Sequence, residues 1–173
     1  MASLRLTIMD LKKQKQKFLE TYLASEKKIL SQEAVTQALI PFLETAAKTF
    51  KVETVYFFAC PSQNKFLTLS LQSRENPQIQ QRFLYLFASE QDAKRHPYFD
   101  RKRHRIDKLP ILNALLQLLA SDEIDQVVIY PKKGRLTESM TLDKPSFVKA
   151  FQAFCQDVGI TSSVAKTAPF GLA

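Results

Sequence analysis

The chain has little of what most catalytic and metal-binding motifs require. Its three glycines, Gly134, Gly159 and Gly171, stand far apart. A Walker or dinucleotide phosphate cradle needs closely spaced glycines ahead of a helix, so that backbone N–H groups can approach a phosphate without a Cβ in the way. Neither cradle can be built here. The only histidines, His96 and His104, lie eight apart across Pro97 without a nearby cysteine, which is not a metal-ligand spacing. Neither pairs in sequence with Cys60 or a serine in a nucleophile pattern, so no catalytic residue, cofactor or metal ligand is assigned. The two cysteines, Cys60 in a strand-like segment and Cys155 on the apolar side of a helix, are expected to be buried, reduced thiols. No apolar run approaches the roughly 20 residues that a bilayer-spanning helix needs. The opening Met1 to Met9 is too short and too mixed for a secretory segment before Asp10-Leu11-Lys12-Lys13. A cytoplasmic protein is the expectation.

What the chain has is hydrophobic mass and positive charge. With 45% hydrophobic residues and thirteen phenylalanines among 173 residues, it can fill the core of one domain. Lys and Arg number 25 against 17 Asp and Glu, a formal charge of +8. Charge of that size bears on association, and it favours acidic partners.

The spacing of apolar residues divides the chain into an N-terminal helical segment (1–50), an α+β core (51–159) and a loose tail (160–173). Leu11, Phe18, Leu19, Tyr22 and Leu23 recur at helical spacing, with lysines on the remaining surface. A break between Ser25 and Ser31 leads to a second helix, with Ser31 as N-cap and Val35, Leu39, Phe42, Leu43, Ala46 and Phe50 as its apolar face. Pro41 predicts a kink or restart near Ile40, since proline lacks the N–H and crowds the preceding turn. The period then changes to two. Val55 to Cys60 and Phe66 to Gln72 read as a hairpin around Pro61-Ser62-Gln63-Asn64, and Phe83 to Phe87 as a strand apolar on both faces. Ser89, with Asp92 three residues on, starts a short helix that ends before Pro97. Ile111 to Leu119 is a buried helix and Gln126 to Tyr130 a fourth strand. Lys132-Lys133-Gly134-Arg135 is a reversal into a fifth, Leu136 to Leu142, and Asp143 and Gly159 bound the last helix. The fold class is a single α+β domain with a four- or five-stranded, mostly antiparallel or mixed sheet covered by helices.

One segment has functional colour. Between Lys94 and Lys108 seven cations face two aspartates. Lys94, Arg95, Arg101, Lys102, Arg103 and Arg105 could neutralise a polyanion, with Tyr98 and Phe99 as stacking groups. The lysine-rich first helix together with the loop around Arg101 to Arg105 points to a non-catalytic interaction or regulatory module that binds an acidic protein partner; the alternative is a nucleic-acid-binding protein using loop 94–108.

The succession of Phe87-Ala88-Ser89-Glu90-Gln91-Asp92-Ala93, a leucine-rich helix introduced by Leu109-Pro110, and Val127-Val128-Ile129-Tyr130-Pro131 resembles the SseB-like (enhanced serine sensitivity) domain. In that family a strand ending in phenylalanine, a small hydroxyl residue, serine and an acid precedes an alanine-containing helix, and a later strand ends in Asn-Pro. Tyr130 stands here in place of the asparagine. The resemblance spans residues 53–157, implies an α+β fold and a non-enzymatic role, and transfers no site residue.

Overall fold

The structure, a computed structural model, describes residues 12–21, 31–62 and 66–160. Expectations for Leu11, Tyr22 and Leu23, for the break before Ser31 and for the tail beyond Ile160 lie outside them. The protein is an α+β domain built on one mixed, mostly antiparallel sheet. Its strands are β1 (Thr54–Ala59), β2 (Leu69–Gln72), β3 (Gln80–Phe87), β4 (Arg105–Pro110), β5 (Gln126–Tyr130) and β6 (Met140–Asp143). They lie in the order β4-β1-β3-β5-β6, with β2 also on β3, and β3–β5 is the parallel pair.

The expected hairpin between the first two strands is reduced to one antiparallel bridge, Ala59 opposite Phe66, and the rest of the second arm pairs with β3. Phe57 pairs with Leu86 and Leu69 with Phe83, so β1 and β2 follow one another along the same edge of β3. Leu67 N–H donates to Phe58 O at 2.8 Å. The eight residues of β3 offer backbone groups to both short strands, and this pairing satisfies more of them than a two-stranded hairpin would. The sixth strand, β4, comes from the segment read as a basic loop. Its side chains alternate Arg105, Asp107 and Leu109 against Ile106, Lys108 and Pro110, and their charge hides a strand periodicity that its pairing with β1 reveals. The expected fifth strand is shorter than its sequence, since only Met140–Asp143 pairs with β5.

One face of the sheet carries the main core. The side chains of Val55, Phe57, Leu84, Leu86, Val127 and Ile129 alternate onto it and meet α5 (Ile111–Ala120) and α6 (Lys144–Asp157). The N-terminal helices complete this core. Phe18 from α1 (12–21) is buried in it, as are residues of α2 (Gln32–Ala34), the π-helical stretch Val35–Leu39 and α3 (Ile40–Phe50). Phe42 is the hub, with its ring 5.1, 5.2 and 5.8 Å from those of Phe147, Phe151 and Phe154.

The irregular backbone sits where the residues dictate. Pro41 follows the π-helical stretch inside a helix that runs on from Gln32 to Phe50, and the wider turn, with Ile40 N–H on Val35 O, lies where its ring and missing N–H interrupt regular α-helical bonding. Ser31 accepts from Ala34 N–H at 3.1 Å, and Asp143 from Ser146 N–H at 2.9 Å. Gly134 and Gly159 adopt φ of 76° and 74°. Cys155 is buried as expected, but Cys60 is only half-buried after β1, with its Sγ 3.3 Å from Ser62 Oγ. Phe83 is likewise half-buried, not closed in on both faces like Leu84 to Phe87.

Candidate functional site

The opposite face of the sheet gathers a second, aromatic cluster. Phe58, Tyr85, Phe87 and Val128 are buried in it, with Tyr56, Leu69, Phe83, Ile106 and Tyr130 partly covered. The elements packed on this face are short. They are α4 (Glu90–Arg95) through Ala93, and loops through Leu67, Phe99 and Leu136.

The position of α4 follows from Ser89 and Asp92. Asp92 N–H donates to Ser89 Oγ at 3.2 Å, and the Ser89 hydroxyl donates to the Asp92 carboxylate at 2.7 Å. That carboxylate is buried, and both of its oxygens also accept from Gly134 N–H, at 3.0 and 3.1 Å. The Asp92 carboxylate thus pins the Lys132-Lys133-Gly134-Arg135 turn against α4 and so brings α4 and that turn, 37 or more residues apart in sequence, to the same end of the sheet. Within that turn Lys132 and Arg135 both pair with Glu138, and Lys133 is exposed.

His96 follows α4 and is buried at the centre of the aromatic cluster. Its ring lies 5.1 Å from Tyr85, 5.2 Å from Phe87 and Tyr98, and 5.5 Å from Tyr130. Nδ1 accepts from Tyr98 N–H at 3.3 Å, which leaves the proton on Nε2, 3.3 Å from Tyr130 Oη. Burial holds the imidazole below its ordinary pKa. Burial, with the neighbouring phenols, pushes Tyr85 up to about 12, and Tyr130 is raised for the same reason. His104 serves the loop, accepting from Asp100 N–H at 3.1 Å and stacking 5.4 Å from Phe58. Both histidines are therefore engaged in holding the 96–104 segment on the sheet.

The basic residues of that segment divide into two groups. Lys94 pairs with Glu90 at 2.5 Å, Arg103 with Asp100 at 3.6 Å, and Arg105 with Asp107 on the edge strand β4. Arg95, Arg101 and Lys102 are exposed and have no carboxylate partner among the described residues. The two aromatic residues also part. Tyr98 is 44% exposed, with its ring edge-on to Tyr85 at 5.6 Å. Phe99 turns inward and stacks on Phe58 at 5.9 Å. Within 94–108 the fold leaves one accessible ring, Tyr98, and gives Arg95, Arg101, Lys102 and Lys108 no carboxylate partner among the described residues. Sequence reading missed Tyr85 and Phe83 as its neighbours, although Phe83, Tyr85 and Phe87 alternate onto one face.

Two hollows flank the sheet ends. An open groove of about 1040 Å³ at the start of β3 and β5 is lined by Arg82, Asp125, Asp143 and Lys144. Its charges are committed internally: Arg82 to Asp125, Asp143 to the α6 cap, and Lys144 Nζ to Ser121 O at 2.7 Å. A smaller crevice of about 340 Å³ lies at the other end among Lys51, Glu53, Thr54, Tyr56 and Lys133. Among the described residues no helix is long and apolar enough to cross a membrane. In comparisons with models of protein families, with curated proteins and with solved structures, the chain matches none.

Proposed function

We propose that this protein is a non-catalytic interaction module that docks an acidic protein partner through the basic surface formed by α4 and the 97–105 segment. The observation that carries this reading is the exposure of Arg95, Arg101 and Lys102 without carboxylate partners, around the accessible ring of Tyr98. Unpaired surface cations add little to stability, and they raise the rate and selectivity with which an oppositely charged surface is captured. The resemblance to the SseB-like domain implies a non-enzymatic role as well.

Nucleic-acid binding is the second reading, supported by Tyr98 as a stacking platform between cations. It is the weaker one, because Phe99 is spent on Phe58 and a single ring reads few bases. The test is a salt titration of the intact chain against an acidic polypeptide and a mixed single-stranded oligonucleotide. An acidic-partner module binds the polypeptide at low salt, and the Arg95→Gln, Arg101→Gln, Lys102→Gln triple variant loses that binding. Preference for the oligonucleotide, with an affinity that falls steeply with salt, selects the second reading. An unaltered triple variant defeats both.

A further inference from the structure

We propose that the crevice at the ends of β3 and β5 binds a small molecule through a phosphate group, held by Lys51 and Lys133 with Lys108 at its margin. None of Arg95, Arg101 and Lys102 lines it, and the proposal does not rest on the acidic-partner reading. Four stretches of chain meet there. Lys51, Val52 and Glu53 join α3 to β1, Thr54 and Tyr56 belong to β1, Ala88 follows β3, and Pro131 and Lys133 follow β5. Ala88 N–H donates to Tyr130 O at 3.0 Å, which ties together the two strand ends that border the crevice. Its volume of about 340 Å³ lies at the small end of the range for small-molecule sites.

The charges suit a dianion. Lys51 and Lys133 are exposed and have no carboxylate partner among the described residues. Lys108 on β4 is the cross-strand neighbour of Tyr56, so it shares that face of the sheet, and it too is exposed without such a partner. Glu53 also lines the crevice, so three lysines meet one carboxylate and positive charge remains in excess. A phosphate monoester carries about −1.5 to −2 at pH 7 and three strong acceptor oxygens. Each ammonium group is a donor only, and the hydroxyls of Thr54 and Tyr56, which make no hydrogen bond among the described residues, add further donors. The placement of the two lysines has causes of its own. Lys51 occupies the left-handed position that ends α3, φ 54°, where glycine fits without strain, so a cation stands on the crevice at a cost in stability. Lys133 is held there by the buried Asp92 carboxylate, which accepts from the N–H of the next residue, Gly134.

The test is an amide NMR titration of the full chain with inorganic phosphate, glucose 6-phosphate and glucose, at ionic strength held constant with sodium chloride. Saturable shifts centred on Thr54, Tyr56, Lys133 and Gly134 are expected with phosphate or its ester and not with glucose. Tighter binding of the ester marks a phosphorylated small molecule as the ligand, and tighter binding of the ion marks free phosphate. Lys133→Gln should weaken binding about tenfold, as loss of one charged donor does. Lys51→Gly should weaken it as well while raising the melting temperature, a combination that damage to the fold cannot produce. The Arg95→Gln, Arg101→Gln, Lys102→Gln triple variant should bind phosphate as wild type does, so failure of the acidic-partner reading leaves this site standing. Shifts that fail to saturate, that sodium chloride alone reproduces, that survive unchanged in either lysine variant, or that vanish in the triple variant overturn it.

Discussion

Arg82 and Asp125 hold the starts of the two parallel strands together through backbone and side chain at once. Arg82 Nε and Nη2 donate to the two carboxylate oxygens at 3.0 and 2.9 Å, Arg82 N–H donates to Oδ2 at 2.8 Å, and Asp125 N–H returns to Arg82 O at 3.0 Å. A parallel pair has no tight turn to set its register, so a clamp at its entry has a defined task. Asp125→Ala should lower stability by about 1–2 kcal/mol, a modest figure because both side chains are over one-third exposed and solvent screens the charge. The Arg82 hydrogen bond is the main cause that holds the Asp125 carboxyl below its ordinary pKa. Its contribution is therefore present above the unfolded carboxyl value and is lost as pH falls through the lower folded one. Denaturant unfolding of wild type and variant at pH 7 and at pH 2–3 should show the difference shrinking in acid.

His96 predicts a second pH dependence at a milder pH. The groups facing its ring, Tyr85 from β3, Tyr130 from β5 and Tyr98 from the loop, carry no charge to welcome an imidazolium, and burial depresses its pKa. The unfolded chain then binds a proton that the folded one refuses. Stability is complete above the ordinary value of 6.5 and declines as pH falls toward the depressed folded value, with a slope of at most about 1.4 kcal/mol per pH unit. Denaturant midpoints between pH 8 and pH 5 should trace this fall, and His96→Gln should flatten it.

Asp92→Ala should cost about 1–3 kcal/mol, since it removes the buried acceptor of both the Ser89 hydroxyl and Gly134 N–H. The Gly134 amide is the specific reporter. Its hydrogen exchange should accelerate in the variant beyond the change seen at the amides of β5, whereas equal acceleration throughout would mean that Asp92 does not pin the turn.

Two left-handed residues predict opposite outcomes. Lys51 closes α3 at φ 54°, where a Cβ is strained, so Lys51→Gly should stabilise by about 0.5–1 kcal/mol. At Gly134, φ 76°, an added Cβ meets nothing within 4 Å, so Gly134→Ala should cost about 1 kcal/mol from the backbone alone. Thermal melts of the two variants should shift in opposite directions.

Phe42→Ala should destabilise by about 3–5 kcal/mol, because three α6 rings close around this one side chain. Calorimetry should show one lowered transition. Two separated transitions would mean that the N-terminal helices fold independently of the sheet.

The elements legible in the sequence are those whose signal is local. Ser31, Ser89 and Asp143 cap the helices that follow them, because a short oxygen side chain satisfies N–H groups only two or three residues away. Pro41 and Gly134 mark irregular backbone for equally local reasons, and the period of three and four in α5 identifies its buried face. The basic candidates were legible as a composition, but composition did not separate Arg95, Arg101 and Lys102 from the cations that find carboxylates. Tertiary structure decided that separation, along with the pairing of β2 on β3, the strand inside the basic segment, and the seating of Phe99 against Phe58 and of Tyr98 over Tyr85. A hydrogen-bonded edge or an aromatic ring can be satisfied by many partners, and which one it meets depends on residues brought together by the whole chain. The single carboxylate of Asp92, accepting from the hydroxyl of the N-cap Ser89 and holding a turn 42 residues away, belongs to both kinds.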